Sequence, residues 1–537
     1  MSISAFVELI IYPLFRIAFM KSKIIIGTRG SKLALWQANF TKDKLATHGV
    51  EAEITIIKTV GDTSQQWNTS FEKLEGKGFF TKELEEALLS GDIDLAVHSC
   101  KDLPTENPIG LTIAAYSYRA NPFDCLLIRK EESDEAMPLK LKKNAIVGTS
   151  SSRRKCQLMA FRPDIILKDI RGNVPTRIEK LKQGEFDAIM LAKAGIERLE
   201  IDISEFEVAE LRSPMFIPAA AQGVLAYQIR ENDNALHEVC KLLSNAPSAE
   251  ITRIERTFLN GFQGGCQIPL GIFAEKENDN THIWISYAKG NLELPLRKHI
   301  LQTAGNSINY SQLIQSMKTP ERKSVYITSD ITSSDYFYRV LTANCQIVNS
   351  GSFMVFSAVD FVFDQADWLF FSSKNGVKFF FDQVKELPTT TKIAAINQGT
   401  AQEILNLNYP VYFTGTGSSI THIAEQFDSL ASGKIVFPQA ENSLQSIQKL
   451  LKNNTQSETL IVYKNQPKAK IEQRNEDVLV FTSPLNAQTY FEQHILQEKQ
   501  TVVSIGNSTT KKLNELGISA VRTAYQPTPW SLVDEVF

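Results

Sequence analysis

The sequence predicts an α/β protein built from several domains. At 537 residues the chain is too long for one hydrophobic core, and its length is typical of roughly three to five domains. Apolar strands alternate with amphipathic helices in two separate stretches, 23–59 and 145–199, which is typical of parallel βαβ units. Hydrophobic residues make up 43% of the chain and charged residues 22%, as in ordinary globular proteins.

Charge and cysteine usage narrow the functional classes. The formal net charge of -3 gives no bulk attraction to nucleic acid or to an acidic membrane surface, so any anion site must be local. The cysteines lack CxxC pairing, which argues against a zinc or other metal site and against a secreted disulfide framework. We therefore expect a reduced, cytoplasmic setting. The six cysteines are Cys100, Cys125, Cys156, Cys240, Cys266 and Cys345.

The N-terminal segment predicts neither a signal peptide nor a membrane span. Its apolar run is interrupted by Glu8, Pro13 and Arg16, has no basic segment ahead of it and lacks a small-residue cleavage site. Met20 stands just before the first clear strand, so we interpret residues 1–20 as an extension upstream of the native start.

The first βαβ unit contains a turn suited to an anion. Strand 24–26 runs through Gly27-Thr28-Arg29-Gly30-Ser31 into a helix, where backbone N–H groups and the helix dipole favour negative charge. Simple capping of the helix by Ser31 explains the same residues equally well. The polar, glycine-rich stretch 61–78 predicts a mobile loop that could act as a lid.

A carboxylate follows the next buried strand. Residues 93–97 lead into His98-Ser99-Cys100-Lys101-Asp102-Leu103-Pro104, which places Asp102 at the carboxyl end of a strand, the edge where open α/β sheets bind ligands. Asp102 is then either a turn or capping residue, or a functional residue that acts as a general acid/base or stabilises a cationic intermediate.

Arginines recur at loops and helix starts in both units. The second unit opens with strand 146–148 and the loop Thr149 to Arg154, which echoes the first turn. Two similar domains facing each other would form a cleft, and arginines converging there would pair with a ligand that carries several carboxylates. Taken singly, each arginine is expected to be a solvated surface residue. The five are Arg29, Arg153, Arg154, Arg171 and Arg177.

A cysteine flanked by glycines and a proline is the candidate for covalent chemistry. Gly264-Gly265-Cys266-Gln267-Ile268-Pro269 follows a helix predicted at 250–260, which opens a small α+β domain. Glycine permits close approach to a bound group, and a thiolate is a strong nucleophile when cations lower its pKa. Spacing alone favours a buried structural cysteine, and the other motifs reverse that preference.

Six ordered motifs between residues 23 and 314 resemble the hydroxymethylbilane synthase family, also called porphobilinogen deaminase. They are GTRGSKLALWQ, GKGFFTKEL, AVHSCKDLP, GTSSSRR, RGNV and GGCQIP. The resemblance implies three domains, the first two like type II periplasmic binding proteins, and a dipyrromethane cofactor built on the motif cysteine, here Cys266. Such an enzyme condenses four porphobilinogens onto this primer with loss of ammonia, then hydrolyses off the linear tetrapyrrole.

The resemblance also implies roles for the residues found above. Asp102 and Lys101 would be catalytic, with Asp102 handling the proton traffic and stabilising the cationic azafulvene that forms when ammonia leaves. Lys32 stands where the family often has proline, and Ala221 stands where it usually has glycine. The departure at Ala221 bears on local packing and not on the reaction. The residues that would hold the acetate and propionate side chains are Arg29, Ser31, Lys101, Thr149, Ser150, Ser151, Arg153, Arg154, Arg171 and Arg177.

Residues after 323 predict two further α/β lobes. Phe370-Phe371-Ser372-Ser373 returns as Val480-Phe481-Thr482-Ser483 about 110 residues later, and each copy is a strand, a Ser/Thr-rich turn and a helix. This half resembles the uroporphyrinogen-III synthase family, including Val462-Tyr463-Lys464 and 527–532. It shows no acid/base cluster, so its main task would be to fold the bilane for closure with ring D inverted. The implied bilane contacts are Tyr463, Ser373, Thr482, Ser483 and Thr509.

Together the two resemblances predict a bifunctional enzyme of haem biosynthesis that acts on porphobilinogen and hydroxymethylbilane as a cytoplasmic monomer, without nucleic acid or membrane. A solute-binding receptor without chemistry is an alternative, but it would use neither Cys266 nor Asp102; a deaminase with an inactive C-terminal half is another. The expected boundaries are 21–118 with 220–240 for the first domain, 122–216 for the second, 244–316 for the third, 317–323 for the linker and 324–537 for the synthase-like unit.

Overall fold

The computed structural model describes residues 23–59, 81–135, 137–263, 268–303, 305, 308–415, 419–452 and 456–537. The N-terminal extension, the predicted lid and the turn that carries Cys266 lie outside these described residues. Five β-sheets with flanking helices make up the described part, which confirms the predicted multidomain α/β class. No helix in these ranges is long and apolar enough to cross a membrane.

The first sheet is built from residues 23–116 and from a strand that returns to it much later. Its strands run in the order β2-β1-β3-β10-β4; β1 pairs in parallel with β2 and β3, and β10 lies antiparallel between β3 and β4. The elements are β1 Lys23–Thr28, α1 Lys32–Ala46, β2 Glu51–Ile56, α2 Lys82–Ser90, β3 Leu95–Ser99, β4 Leu111–Tyr116, β10 Leu225–Arg230 and α6 Asn234–Leu243.

The second sheet repeats this arrangement. Its order is β7-β6-β8-β5-β9, with β6 parallel to both neighbours and β5 antiparallel between β8 and β9. In both sheets the loops after the parallel strands therefore gather at one edge. The elements are β5 Asp124–Arg129, β6 Ile146–Gly148, α3 Ser152–Phe161, β7 Ile166–Lys168, α4 Val174–Lys182, β8 Ala188–Ala192, α5 Lys193–Arg198 and β9 Phe206–Leu211.

The third sheet is a three-stranded antiparallel meander covered by two helices. Its first helix begins four residues before the predicted start because Asn245 caps it, its side chain accepting a hydrogen bond from Ser248 N at 3.0 Å. Its last helix extends to Lys318, so only residues 319–323 connect the two halves of the chain. The elements are α7 Ala246–Gly261, β11 Leu270–Glu277, β12 Asn280–Tyr287, β13 Leu296–Gln302 and α8 Tyr310–Lys318.

The C-terminal half forms two lobes, as predicted. Lobe 1 holds a parallel sheet in the order β15-β14-β22-β23-β24. Lobe 2 holds a mixed sheet in the order β16-β21-β20-β17-β18-β19, in which β16 lies antiparallel to β21 and the other pairs are parallel. Lobe 1 consists of β14 Ser324–Ile327, α9 Tyr336–Ala343, β15 Ile347–Ser350, β22 Val478–Phe481, α13 Pro484–Phe491, β23 Thr501–Ser504, α14 Asn507–Glu515, β24 Val521–Thr523 and α15 Pro529–Val536. Lobe 2 consists of β16 Met354–Ala358, β17 Trp368–Phe371, α10 Lys374–Gln383, β18 Lys392–Ala395, α11 Gln398–Asn406, β19 Phe413–Thr414, α12 Ile420–Asp428, β20 Lys434–Ala440 and β21 Gln456–Pro467.

A buried ion pair ties the first three sheets together. Glu255 of α7 is fully buried and accepts hydrogen bonds from Arg119 at 2.8 and 3.3 Å. The same carboxylate accepts from the backbone N–H of Ala221 at 2.6 Å and of Ala274 at 2.8 Å. Arg119 and Ala221 belong to the two connections between the first and second sheets, and Ala274 belongs to β11. The pair therefore fixes α7, the helix that leads toward Cys266, against both connections.

We expect Arg119→Ala to reduce the free energy of unfolding by about 3–5 kcal/mol, because Glu255 would stay buried without its counter-charge. Urea unfolding followed by circular dichroism measures the shift in midpoint. Arg253→Ala, which removes an exposed arginine from the same helix, is the matched control and should change stability by less than about 0.5 kcal/mol. Equal effects of the two substitutions would contradict the structural role of the pair.

Candidate functional site

Asp102 lies at the edge of the first sheet in a cleft of about 110 Å³. β3 ends at Ser99, and a short 3-10 turn of residues 100–102 presents the exposed Asp102 side chain. Gln37 of α1 supports the turn by donating from Nε2 to Ser99 Oγ at 2.8 Å. Among the described residues that line the cleft, Asp102 is the one carboxylate, and it is placed where a ligand can reach it.

The turn after β1 lines the same cleft through Arg29 and Ser31. Ser31 Oγ accepts a hydrogen bond from Ala34 N at 3.3 Å, so it caps α1 and faces the cleft at the same time. Burial lowers the pKa of His98, another lining residue, to about 4, and the charge of Arg29 acts in the same direction. The two sequence motifs therefore meet at the carboxyl ends of β1 and β3.

Arg153 and Arg154 are buried and paired with Asp124, a residue that sequence reasoning missed. Arg153 Nη1 donates to Asp124 Oδ2 and Arg154 Nη2 to Asp124 Oδ1, both at 2.7 Å. Burial opposes ionisation of Asp124, but the two guanidinium groups outweigh it and hold its pKa below the ordinary value. Arg153 also donates to Ile217 O at 2.9 Å and Arg154 to Met190 O at 3.0 Å. The two arginines are thus rigidly held and share one counter-charge.

Gln222 links this cluster to the turn that carries Asp102. Its Nε2 donates to Asp124 Oδ1 at 3.0 Å and to Pro122 O at 2.7 Å, while its Oε1 accepts from Lys101 Nζ at 3.4 Å. Gln222 lies in the returning connection before β10 and was also missed. A single amide therefore connects a cation of the first sheet with the buried carboxylate of the second.

Two lowered pKa values show that the cations of both sheets act on one another. Burial lowers the pKa of Lys101, with Arg154 acting in the same direction and Asp102 opposing it. The pKa of Arg177 is lowered to about 10, mainly by burial and also by Arg154 and Arg171, while Asp102 opposes the shift. Asp102 thus lies within electrostatic range of arginines that belong to the second sheet.

Thr149, Ser150 and Ser151 shape the loop in front of α3. Thr149 is buried, and its Oγ1 accepts from Ser151 N at 3.3 Å. Ser150 Oγ donates to Ile170 O at 2.9 Å and accepts from Ile170 N at 3.1 Å, which ties the loop to the segment that carries Arg171. These hydroxyls and backbone groups therefore fix the arginine-bearing loops relative to each other.

The charge balance of the cleft fits a ligand with several carboxylates. Arg29 lines the cleft itself, and five further cations lie around it near Asp102 and Asp124, of which Asp124 is already paired. Bidentate guanidinium groups are well matched to carboxylates. In the described ranges no cluster of three His, Cys, Asp or Glu side chains is placed to hold a metal ion. The six cations are Arg29, Lys101, Arg153, Arg154, Arg171 and Arg177.

The predicted residues of the C-terminal half fall into two separate pairs. In lobe 2, Ser373 Oγ lies 3.3 Å from Tyr463 Oη, and burial raises the pKa of Tyr463. In lobe 1, Thr482 Oγ1 donates to a backbone carbonyl at 2.9 Å and Ser483 caps α13. Thr509 is fully buried, so in this conformation its side chain is not offered to a ligand.

Comparisons with known proteins match the two halves of the chain to different families. Residues 24–238 match the family model described as "Porphobilinogen deaminase, dipyromethane cofactor binding domain", and 249–304 match "Porphobilinogen deaminase, C-terminal domain". Residues 352–534 match "Uroporphyrinogen-III synthase HemD".

Individual relatives cover mainly the first half. The porphobilinogen deaminase of Nitratiruptor sp. is 45% identical over 293 residues, which is 54% of this chain and 90% of the relative. That of Sulfurimonas denitrificans is 45% identical over 261 residues, 48% of this chain and 81% of the relative. The solved uroporphyrinogen-III synthetase of Helicobacter pylori covers 40% of this chain and 97% of its own, at 21% identity and a TM-score of 0.32. The periplasmic VFT2 domain of Bordetella pertussis BvgS covers 46% and 97%, at 14% identity and a TM-score of 0.28.

The family models and the sequence relatives identify the families to which the two halves are similar. The chain belongs to the porphobilinogen deaminase family, and its C-terminal half carries a uroporphyrinogen-III synthase domain.

Proposed function

We propose that the chain converts porphobilinogen to uroporphyrinogen III in two consecutive reactions of haem biosynthesis. The N-terminal half condenses four porphobilinogens with loss of ammonia on a dipyrromethane cofactor and releases hydroxymethylbilane by hydrolysis. The C-terminal half closes the bilane with ring D inverted. The observation that carries this proposal is the cation-rich cleft with Asp102 at its edge.

We assign the cofactor's thioether to Cys266. When bound, the dipyrromethane supplies the pyrrole to which the first substrate is joined. Support comes from α7, the helix that precedes Cys266, because its Arg256 donates to Pro104 O at 2.6 Å and to Cys100 O at 3.4 Å. These bonds hold the helix against the turn of Asp102. The cations of the cleft would bind the carboxylates of cofactor and substrate.

Asp102 is proposed to act in each condensation. Its exposed carboxylate can accept a proton or stabilise the cation that porphobilinogen forms as ammonia leaves. Asp124, by contrast, is buried and occupied by Arg153 and Arg154. Both carboxylates attract the Lys101 ammonium group, which would position Asp102 and pair with a substrate carboxylate.

The C-terminal half is proposed to work by shaping the bilane. The Ser373–Tyr463 pair and the Thr482–Ser483 turn offer hydroxyls and helix N-termini at the ends of strands in both lobes. Because the bilane loses water without help, holding ring D in the inverted orientation is sufficient for selective closure.

We further propose that the sheets mark domains near the boundaries predicted from the sequence, with the third domain extended to Lys318, and that the chain works as a cytoplasmic monomer without nucleic acid. The slightly negative net charge of -3 supports the last point. The reduced setting is supported by the free thiols of Cys100, Cys125, Cys156, Cys240 and Cys345.

Cys266→Ser should abolish a covalent dipyrromethane adduct, since a thioether needs the thiol. Intact-protein mass spectrometry measures this directly. Cys345→Ser, which removes an exposed cysteine of the C-terminal half, is the control and should keep the adduct. An adduct of unchanged size on the Cys266 variant would overturn the assignment.

Asp102→Asn should lower the rate of porphobilinogen consumption by roughly 10²- to 10⁴-fold while the protein stays folded, because the amide neither takes a proton nor carries a charge. Asp92→Asn, an exposed carboxylate just before β3, should leave the rate unchanged. Near-normal turnover in the Asp102 variant would exclude the proposed role.

The full chain supplied with porphobilinogen alone should yield mainly the type III isomer, whereas the unassisted bilane closes to the symmetric type I. Tyr463→Phe should raise the type I fraction without slowing porphobilinogen consumption. Tyr409→Phe removes another hydroxyl of lobe 2, one that donates to Lys385 O at 2.9 Å, and should not alter the isomer ratio. Separation of the oxidised uroporphyrins decides the outcome, and type I from the intact wild-type chain would mean that the C-terminal half is inactive.

A further inference from the structure

The two halves of the chain meet through lobe 1. Helix α15 packs on β13 of the third sheet, and helix α9 packs on the end of α3 of the second sheet. The peptide between the halves is short and exposed at Thr319, Glu321 and Arg322. The structure therefore contains two possible means of holding the enzymes together, the peptide and the packed surface.

A buried ion pair lies at the centre of the packed surface. Arg297 of β13 donates to Asp534 of α15 through Nε at 2.8 Å and Nη2 at 3.1 Å. The side chains are 0% and 1% exposed, so docking removes both charges from water. Desolvated pairs of this kind add little net affinity over an apolar pair, but losing one partner is strongly destabilising. The pair therefore selects one docked orientation.

Arg297 is held in place by the deaminase itself. Its Nη1 donates to Met215 O at 2.8 Å and its Nη2 also donates to Pro214 O. Both carbonyls belong to the connection between the second and first sheets. Because these bonds already fix the guanidinium, it loses little further conformational entropy when it pairs with Asp534. A preorganised side chain of this kind contributes more binding free energy.

Apolar packing around the pair provides the driving force for docking. Ala160 at the end of α3 is 1% exposed and belongs to the same hydrophobic cluster as Val480 and Leu532 of lobe 1. Phe161 packs its ring 4.8 Å from that of Tyr336 and 5.6 Å from that of Trp530. One hydrophobic core thus includes side chains from both enzymes.

Hydrogen bonds to backbone carbonyls complete the surface. Arg339 of α9 donates from Nη2 to Met159 O at 2.7 Å and from Nη1 to Ala160 O at 3.2 Å. These two carbonyls lie near the end of α3, where the last C=O groups of a helix lack partners within it. Arg339 of lobe 1 therefore supplies hydrogen-bond donors to these two carbonyl groups.

We propose that this surface, and not the peptide between the halves, holds the two enzymes together. The partner that fits the face formed by α3 and β13 is lobe 1 of the same chain. It stays bound when residues 319–323 are cut, and its docking stabilises the deaminase fold.

The test uses the full chain with a specific protease site inserted between Thr319 and Lys323. After complete cleavage, sedimentation velocity at roughly micromolar concentration should show one 1:1 complex of the two fragments. Fragments that separate in the wild type would overturn the proposal. The measurement is independent of either activity, so its failure would leave the proposed reactions untouched.

Substitutions locate the effect on the surface. Asp534→Ala should raise the dissociation constant of the cut protein by at least about 100-fold, because Arg297 would be buried without a counter-charge. It should also shorten the half-life of deaminase activity on heating the uncut chain. Glu458→Ala, which removes an ion pair with Lys434 in lobe 2, is the matched control and should change the dissociation constant by less than roughly twofold.

A second variant covers the case in which Asp534→Ala does not fold. Arg339→Met keeps most of the apolar stem of the side chain and should weaken association by roughly tenfold, because two charge-assisted hydrogen bonds are lost. Retained deaminase activity of the uncut variant verifies its fold. Association as tight as wild type in Arg339→Met, or equal effects of Asp534→Ala and Glu458→Ala, would contradict the proposed surface.

Discussion

Positive charge is concentrated around Asp102 and Asp124, which Lys101 and Gln222 connect, and this part of the structure depends on how Asp124 compensates for that charge. Arg153 and Arg154 are both buried, and a buried guanidinium without a counter-charge costs several kcal/mol. One carboxylate serves both, so the pair is stable while an excess of positive charge remains. Burial is the main cause that lowers the pKa values of Lys101 and Arg177, and repulsion from neighbouring arginines adds to it. A ligand with several carboxylates relieves this repulsion, and the same charges that oppose folding thereby favour binding.

In the proposed reactions, the two halves would handle anionic substrates by different physical means. The deaminase half would use fixed guanidinium groups around a carboxylate, because its reaction creates charge each time ammonia leaves. The synthase half presents hydroxyls and helix N-termini, as at Ser373 and Ser483, which accept hydrogen bonds from the first turns of α10 and α13. Such groups orient carboxylates without supplying strong acids or bases, which suits a reaction whose outcome depends on the shape of the bound chain.

Local sequence patterns predicted those parts of the candidate site whose positions follow from the direction of the parallel strands. Arg29 and Asp102 each follow an apolar strand, and parallel strands bring their loops to one edge. Asp124 carried no such signal, since it begins the strand β5 and does not follow one, and its partners are 29 and 30 positions away. The contact between Arg297 and Asp534 spans 237 positions, which no local pattern encodes. Thr509 lies in α14 just after the predicted turn, but it is on the face of the helix that is buried within the lobe.

The deaminase half is synthesised before lobe 1 is complete, so for a time the nascent deaminase lacks the lobe that docks on it. Helix α15 emerges about 210 residues after α8, the last helix of the deaminase. At typical rates of translation this delay is roughly 10 to 40 seconds. During that interval lobe 1 does not yet bury Phe161 and the guanidinium of Arg297. The nascent deaminase therefore exposes an aggregation-prone surface to other chains. A premature stop codon near the end of the gene would then harm the first enzyme as well as the second, even though every deaminase residue had been made.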